Sequence, residues 1–375
     1  MNVHNKSIHP PTAASLANLA AIQGDDRCVL TIYFPASLTA GPKASEKLAA
    51  LPGDLIKVSS LTADEAEHRR RCLDLWQKAV RKVDFPEALG WVAVVSWLTE
   101  QVALMQLPVA VERAAYLDNS PFLLPAARLL DDYEAYAVVY ADHARAAIYL
   151  AALGSLAEAG KLRGDIKNHV RKGGWSQQRY ERRRDKEIHY YCRAILEKLT
   201  ELVRAEHLRR IILAGDKILL NELEKRMTQA MQKQVVCRIP MEGKKEPHEV
   251  FRETLPAAAE AEHKEEQWLE NAIRSEHAAA GRAVIGPHDT LVALKEKRVR
   301  CLLVGPMDDV DFWRCPACGA FGLGKPTTCP KCSAETYPQS AANEFTDLAF
   351  EAATRVELTT DPLKNLKGVA ALLRW

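Results

Sequence analysis

Apolar residues in this 375-residue chain form short continuous runs and longer periodic stretches. Continuous runs at residues 28–34, 91–97, 137–140 and 211–214 predict buried strands. Between about residues 178 and 205, apolar positions recur three and four apart, which predicts a long amphipathic helix with one buried stripe. Because strands alternate with helices in this way, the pattern predicts an α/β fold class.

Polar and charged segments divide the chain into three predicted domains. Residues 121–130 resemble a connector after the first domain, and the charged residues 243–249 mark a second boundary. The predicted domains are residues 1–131, 132–242 and 243–375. Residues 1–27 form a polar, alanine-rich N-terminal segment with little periodicity. Residues 160–178 are predicted to form a polar loop. Further helices are predicted at residues 62–83, 218–232, 257–281, 290–297 and 345–354.

The composition, charge and hydropathy of the chain limit the kinds of protein that it can be. Hydrophobic residues make up 47% of the chain, enough for ordinary buried cores. There are 51 basic and 49 acidic residues, so any contact with nucleic acid depends on local clustering of charge. The most apolar run, residues 90–98, is far shorter than the ~20 residues that cross a bilayer. The N-terminal residues lack the apolar core of a signal peptide, which predicts a cytoplasmic protein.

Four of the nine cysteines form two close pairs, and the other five are scattered. Cys315 and Cys318 form one C-x-x-C motif, and Cys329 and Cys332 form the second after ten intervening residues. Two such motifs can place four thiolates tetrahedrally around Zn²⁺, with no coordination position left for a substrate. The sequence therefore predicts a structural zinc site, with reduced thiols or a redox disulfide as the alternatives. The scattered cysteines are predicted to be small buried hydrophobic residues, namely Cys28, Cys72, Cys192, Cys237 and Cys301.

A dense basic segment surrounds a pair of glycines. Residues 161–186 hold ten Lys or Arg and three acids, a local net charge of about +7 on a nearly neutral chain. Such clustering suits a phosphate backbone, whereas the helix macrodipole disfavours cations at a helix start. Gly173 and Gly174 allow a close approach of main chain to ligand, and Trp175 offers a flat face for stacking. The alternative is a flexible surface loop followed by a solvated basic helix.

The segment resembles the catalytic loop of the archaeo-eukaryotic class 1 peptide-chain release factors and Pelota. In that family a Gly-Gly-Gln tip is followed by Ser, two variable residues, Arg, an aromatic residue and spaced arginines. The matching residues here are Gly173, Gly174, Trp175, Ser176, Gln177, Gln178, Arg179, Tyr180 and Arg182. The surrounding order also fits over residues 136–240: a strand pair, a loop, a long helix and a hydrophobic strand that ends at Gly215.

One departure concerns the catalytic glutamine, because Trp175 stands in its place. Gln177 could substitute, as in the bacterial and mitochondrial Vms-type peptidyl-tRNA hydrolases, which resemble release factors with a displaced glutamine. Ester hydrolysis needs a positioned water and hydrogen-bond donors for the oxyanion, and it needs no protein nucleophile. The resemblance implies a catalytic tip formed by Gly173, Gly174, Trp175, Ser176 and Gln177. The implied RNA-binding residues are Lys167, Arg171, Lys172, Arg179, Arg182, Arg183 and Arg184.

The remaining domains complete the resemblance. Residues 290–304 and 366–375 resemble the C-terminal domain of the release-factor and Pelota families, some of which carry a zinc mini-domain at this point, here residues 315–332. That domain docks a translational GTPase in the family. No Asn-Ile-Lys-Ser type loop for stop codons occurs in residues 1–130, which resemble the divergent N-terminal domains of the bacterial members. The sequence thus predicts a three-domain, release-factor-like ribosome binder.

Three functions remain open from the sequence. The first is hydrolysis of peptidyl-tRNA on stalled ribosomes or large subunits. The second is a hibernation or rescue factor, like the Balon group, that fills the A site without hydrolysis. The paired glycines favour the enzyme, because a protein that only occludes the site has little use for them. The third is a generic zinc-ribbon RNA-binding protein.

Overall fold

A computed structural model describes residues 2–3, 12–24, 26–56, 61–132, 135–152, 155–163, 175–206, 208–243, 245–360 and 363–375. It describes the side chains of these residues except 2, 3, 13, 132, 155 and 175–181. The chain forms two compact units. One unit consists of residues 1–132 and 268–375, and the other consists of residues 133–267.

The beginning of the chain builds a five-stranded sheet in the first unit. Its strand order is β1-β4-β3-β2-β5, and the pairs among β2 to β5 are antiparallel. The strands are β1 (Asn2–Val3), β2 (Val29–Pro35), β3 (Gly90–Ser96), β4 (Gln101–Leu107) and β5 (Ala114–Asp118). Every residue of β3 is buried, which explains why this strand is a continuous apolar run rather than an alternating one.

Two helices, α2 (Ala44–Leu55) and α3 (Ala63–Val80), pack on one face of this sheet. α3 begins at a capping box in which the Thr62 hydroxyl accepts a hydrogen bond from the backbone N–H of Glu65 at 3.2 Å. The fully buried Trp76 donates its indole N–H to the carbonyl of Leu48 at 2.7 Å, which ties the two helices together. A short 3₁₀ turn, Ala36–Leu38, precedes them.

The end of the chain adds a four-stranded sheet to the same unit, in the order β11-β17-β12-β16. Its strands are β11 (Ala283–Ile285), β12 (Val299–Val304), β16 (Arg355–Leu358) and β17 (Val369–Leu373), with helices α9 (Pro287–Lys295) and α10 (Ala341–Glu351) and a 3₁₀ turn, Lys364–Leu366. Leu302 and Val369 of this sheet belong to the same buried cluster as Tyr33 and Val92 of the first sheet. The two ends of the chain therefore share one hydrophobic core.

A small three-stranded sheet, in the order β14-β13-β15, holds the four clustered cysteines. Its strands are β13 (Asp311–Arg314), β14 (Phe321–Leu323) and β15 (Tyr337–Ser340). β15 leads directly into α10, where the Ser340 hydroxyl caps the helix by accepting from the backbone N–H of Asn343 at 3.3 Å.

The second unit is a sheet with helices on both faces. Its order is β10-β9-β6-β7-β8, where β6, β9 and β10 are parallel and β6, β7 and β8 form an antiparallel meander. The strands are β6 (Tyr136–Ala141), β7 (Arg145–Ala152), β8 (Ser155–Arg163), β9 (Ile211–Gly215) and β10 (Val235–Pro240). Helices α5 (Trp175–Ala205), α6 (Lys217–Lys225) and α7 (Gln229–Gln234) cover one face, and the first part of α8 (Pro247–Ala278) covers the other. The predicted α/β fold class is confirmed.

Several predicted element boundaries were wrong. The helix predicted at residues 218–232 is two helices, because the Thr228 hydroxyl caps α7 by accepting from the N–H of Met231 at 3.3 Å. The predicted connector at residues 121–130 contains most of a helix, α4 (Leu124–Asp132). The alanine-rich N-terminal segment, residues 1–27, contains another helix, α1 (Ala13–Ala20). α8 begins at Pro247, where proline suits the first turn, rather than at residue 257. Among the helices of the described ranges, none combines the length and the hydropathy that a bilayer crossing requires.

Candidate RNA interface and metal site

The predicted loop tip is only partly within the described residues. Five of the predicted site residues lie outside them: Lys167, Arg171, Lys172, Gly173 and Gly174. Four more form the start of α5, where the backbone is described but the side chains are not: Trp175, Ser176, Gln177 and Arg179. The helix therefore begins three residues earlier than predicted, and Trp175 is its first residue.

The elements on either side of the loop are fixed to the sheet. β8 ends at Arg163, which pairs across the ladder with Arg145 of β7. Residues 160–163 thus belong to a strand, not to the predicted loop, and they carry Lys161 and Arg163 as exposed cations on the sheet edge. A hydrogen bond from Lys161 to Glu158 at 2.7 Å raises the pKa of this lysine, so it stays charged. Positive charge therefore lies on the strand before residues 164–174 as well as on the helix after them.

α5 is held by the apolar stripe that the sequence predicts. Ile188, Cys192, Ile195 and Leu199 are buried against the sheet, and Tyr191 donates its hydroxyl to the carbonyl of Asp142 at 3.3 Å. Burial raises the pKa of the Cys192 thiol to about 11, so it remains a neutral core residue. Since each residue turns the helix by about 100°, residues seven positions apart share a face. The opposite face of α5 is consequently turned to solvent.

The three predicted arginines that are described differ in exposure. Arg182 and Arg183 are exposed, whereas Arg184 is half-buried, with its Nε buried and without a partner among the described residues. Arg183 pairs with Glu187 at 3.0 Å, but both side chains are partly solvated, so the pair contributes under about 1 kcal/mol. Arg182 and Arg183 are thus placed where they can meet an external anion. Arg184 instead lies toward the body of the second unit.

The four predicted zinc ligands come together. The Sγ atoms of Cys315, Cys318, Cys329 and Cys332 all lie within 4.8 Å of one another. Cys315 Sγ lies 3.4 Å from Cys332 Sγ, and Cys318 Sγ lies 3.7 Å from Cys329 Sγ. Four thiolates at Zn–S distances of about 2.3 Å stand roughly 3.8 Å apart in a tetrahedron, so the donor set fits a tetrahedral, thiophilic ion such as Zn²⁺.

The two C-x-x-C motifs fold as matching knuckles. In the first, the N–H of Cys315 donates to Ala320 O at 2.8 Å, and the N–H of Gly319 donates to Cys315 O at 3.0 Å. In the second, the N–H of Cys329 donates to Ala334 O at 2.8 Å, and the N–H of Ser333 donates to Cys329 O at 2.9 Å. Gly319 and Ser333 occupy equivalent left-handed positions, with φ of +65° and +62°. This repeated turn aims four sulfur atoms at one point.

The cysteines separate into two chemical classes. Cys28, Cys72, Cys192 and Cys301 are buried, as predicted, whereas Cys237 is only half-buried. Burial raises the pKa of Cys72 to about 11, and its thiol faces the Cys28 carbonyl. Two histidines, His248 and His288, are exposed and lie outside this group of four cysteines. No other group of three or more potential ligands occurs within the described part of the chain.

Sequence reasoning missed the exposed aromatic residue on α5. Tyr190 is 67% exposed and lies on the solvent face that also carries Arg182 and Lys186. The helical periodicity contained this signal, because Tyr190 is four residues from Lys186 and falls opposite the buried stripe.

Residues 121–259 match the family model of bacterial archaeo-eukaryotic release factor family 10. The matched range includes the Gly-Gly segment and α5. Solved structures similar to the chain include the Pelota protein of Archaeoglobus fulgidus, at 13% identity, a TM-score of 0.34 and coverage of 98% of this chain and 93% of that chain. A translation termination-like factor of S. cerevisiae is similar at 11% identity and a TM-score of 0.44, over 98% of this chain and 93% of that chain. An archaeal translation termination factor is similar at 14% identity and a TM-score of 0.28, over 98% and 99%.

No curated protein matches the chain. The match to the family model supports the resemblance predicted from the glycine loop: residues 121–259 are similar to the bacterial archaeo-eukaryotic release factors.

Proposed function

We propose that this protein binds the ribosome and hydrolyses the ester bond of peptidyl-tRNA on stalled ribosomes or large subunits, without reading a stop codon. The observation that carries the proposal is the family match over residues 121–259, which contain the Gly-Gly tip and its basic rim. The exposed cations on both sides of the tip, Arg163 on β8 and Arg182 on α5, support an RNA-facing surface. The proposed site of action is the cytoplasm.

The proposed chemistry places a water rather than a protein nucleophile at the ester carbonyl. Gly173 and Gly174 would let the main chain approach the end of the tRNA, and backbone N–H groups would stabilise the oxyanion. Ser176 and Gln177 would hold the attacking water, while Trp175 would stack on a base or a ribose. The basic residues would neutralise RNA phosphates, namely Lys167, Arg171, Lys172, Arg179, Arg182, Arg183 and Arg184.

The four-cysteine site would hold a structural Zn²⁺. Four cysteine ligands complete a tetrahedron, so the ion would stabilise the small sheet of β13, β14 and β15 and would leave no position for substrate. The resemblance of residues 290–304 and 366–375 to the release-factor C-terminal domain supports a translational GTPase as a partner of residues 243–375.

A second candidate function follows from Trp175. An indole in place of the family's glutamine cannot position water in the same way, which favours a protein that occupies the A site without hydrolysis. Such a hibernation or rescue factor would use the same basic rim and the same RNA surface. The two candidates differ only in whether the peptide is released.

Peptide release separates the two candidates. Large subunits carrying a labelled peptidyl-tRNA are incubated with the wild-type protein, with Gly174→Ala and with Gln177→Ala. Hydrolysis is supported when the wild type releases peptide and both variants release at least tenfold less while still binding the subunits. Gly53→Ala is the matched control, because a Cβ at Gly53 of α2 would meet no atom within 4 Å. Binding and blocked entry of tRNA without release would instead support the occluding factor.

A further inference from the structure

The solvent face of α5 presents an aromatic ring among cations, outside the predicted loop. Tyr190 is 67% exposed, and its ring lies beside the ring of His189, with centroids 5.7 Å apart and planes at 71°. This edge-to-face contact restrains the Tyr190 side chain without covering it. Lys186 lies one helical turn before Tyr190, and Arg193 lies nearly one turn after it, both of them exposed.

The two cations beside Tyr190 are available to an external anion. Lys186 forms no ion pair with any residue that the structure describes. Arg193 pairs with Glu197 at 2.9 Å, but the two side chains are 68% and 63% exposed. Exposed pairs of this kind contribute little, so a phosphate oxygen can replace the carboxylate of Glu197.

The same face continues into an open groove of about 640 Å³ between α5 and the α6–α7 segment. His189 and Arg193 of α5 line it, together with Arg226, which follows α6. The lining also includes the apolar side chains of Leu196 and Met227. Three arginines and two glutamates line the groove, namely Arg193, Arg204, Arg226, Glu197 and Glu201, so arginines outnumber acids by one. Arg226 also pairs with Glu222 at its partly exposed surface, so a phosphate would replace that carboxylate. Apolar lining with an excess of guanidinium groups suits a planar base attached to a phosphate.

We propose that this face of α5 binds single-stranded RNA, with one unpaired base stacked on Tyr190, flanking phosphates held by Lys186 and Arg193, and the next nucleotide in the groove. This deepens the proposed ribosome binding and rests on it for the source of the RNA. The surface would give the protein a second RNA contact: Tyr190 lies 15 residues after Trp175, the first residue of α5, or about 22 Å along the helix at the rise of 1.5 Å per residue.

RNA fits this surface better than a protein partner does. A single exposed tyrosine offers too little apolar area for a protein hot spot, which needs a packed and desolvated centre. Each nucleotide, by contrast, brings a π face and a negative charge together, and the surface offers an aromatic ring with a cation on either side. An acidic peptide would engage the cations without needing the ring, so the role of the ring discriminates between the two.

The test uses the full chain and a short fluorescein-labelled polyuridylate, with affinity measured by fluorescence anisotropy at several salt concentrations. Tyr190→Ala is expected to weaken binding about 5- to 100-fold with an unchanged salt slope, because stacking on one base is lost. Tyr190→Phe should bind like the wild type. Lys186→Gln should weaken binding and lower the salt slope by about 0.7, as expected for one lost phosphate contact on a single strand.

Trp268→Ala is the matched control, since Trp268 is an equally exposed aromatic residue, 62% exposed, on the glutamate-rich part of α8. It should leave the affinity for polyuridylate unchanged. Thermal unfolding of each variant shows whether the fold is retained. The proposal is overturned if Tyr190→Ala binds polyuridylate as the wild type does, or if Trp268→Ala loses as much affinity. Polyglutamate is also tested as a competitor of labelled polyuridylate. The proposal is overturned if polyglutamate displaces the label from the wild type and from Tyr190→Ala equally, at the same concentrations as unlabelled polyuridylate.

The experiments distinguish a failure of this RNA-binding surface from a failure of the proposed function. If Tyr190-dependent binding of polyuridylate is found in a protein that neither binds ribosomes nor releases peptide, this inference stands and the proposed function fails. If the protein binds ribosomes and Tyr190→Ala changes neither that binding nor the affinity for polyuridylate, this inference fails alone.

Discussion

The carboxylate of Asp347 in α10 accepts a hydrogen bond from the hydroxyl of Ser120, with Oδ2 and Oγ 2.9 Å apart, although 227 residues separate them in the chain. Asn343 donates its side-chain amide to the same oxygen at 3.0 Å, and it also accepts from the backbone N–H of Leu123 at 3.0 Å. The second oxygen, Oδ1 of Asp347, is buried without a partner among the described residues. This polar contact joins the beginning and the end of the chain inside the first unit.

Two more buried carboxyls lie in the same region. Burial raises the pKa of Asp118 to about 7, and it raises the pKa of Glu344 even though Arg314 pairs with Glu344 at 2.9 Å. Burial also raises the pKa of Asp347 well above its ordinary value. The folded first unit therefore holds protons that the unfolded chain releases.

Stability should consequently fall as the pH rises from 5 to 8. The unfolded carboxyls have pKa values near 4, whereas the folded Asp118 and Asp347 have raised values, so across this window the folded state binds more protons. Each group that is protonated only in the folded state lowers the free energy of unfolding by roughly 1.4 kcal/mol per pH unit. Carboxyls with a lowered pKa, such as Glu65, change stability only at more acidic pH. Urea unfolding at several pH values measures this slope, and stability that rises toward pH 8 would contradict it.

Replacing Asp347 should separate its charge from its hydrogen bonds. Asp347→Asn keeps an acceptor for Ser120 and removes the ionisable group, so it should flatten the pH slope and stabilise the protein at pH 8 relative to the wild type. Asp347→Ala leaves the Ser120 and Asn343 donors unsatisfied, which should cost about 1–3 kcal/mol at pH 5. The free energies of unfolding of the wild type and both variants, measured at pH 5 and pH 8, distinguish the effect of the charge from that of the hydrogen bonds. Equal slopes in the wild type and in Asp347→Asn would show that another group dominates.

Removal of the metal should loosen the small sheet without unfolding the second unit. We expect one Zn²⁺ per chain, lost on treatment with a strong chelator and in Cys318→Ser, because a tetrahedral site needs all four sulfur atoms. Limited proteolysis should then cut between residues 315 and 332. Cys237→Ser is the control, since this half-buried thiol lies outside the cluster and should leave the metal content unchanged. The contrary result is a chain that contains no metal as purified and is cut by the protease equally slowly with and without chelator. That result would show that the cysteines stabilise the sheet without an ion.

Residues 133–267 should fold as an isolated fragment, whereas residues 1–132 should not. The second unit has its own core on both faces of its sheet, but one face of the first sheet packs with Leu302, Phe345 and Val369 from the end of the chain. A fragment of residues 1–132 would expose that face to water. Circular dichroism melting and binding of a hydrophobic dye compare the two fragments. A cooperative transition in residues 1–132 without dye binding would contradict the shared core.

Features that arise from local periodicity and spacing could be predicted from the sequence. The buried stripe of α5 appears in the order of Ile188, Cys192 and Ile195, and the metal site in the spacing of its cysteines. The shared core could not be predicted, because it depends on the packing of two separate β-sheets whose strands lie far apart in the chain. The burial of Asp347 could not be predicted either, because its partner Ser120 lies 227 residues away in the chain. α1 escaped prediction because its eight residues make only about two turns, too few for a helical period to stand out in the sequence.

The measurement that tests the central claim most directly is co-sedimentation of the purified protein with ribosomes across a range of salt concentrations. The account predicts binding at low ionic strength whose logarithmic affinity falls steeply with the logarithm of salt, because basic side chains replace phosphate counterions. The combined change of Lys167, Arg171 and Lys172 to Gln should reduce that slope by about 2 to 3, whereas changing the exposed Lys43 and Lys47 of the first unit to Gln should leave it unchanged. A protein that fails to sediment with ribosomes even at low salt would contradict the account.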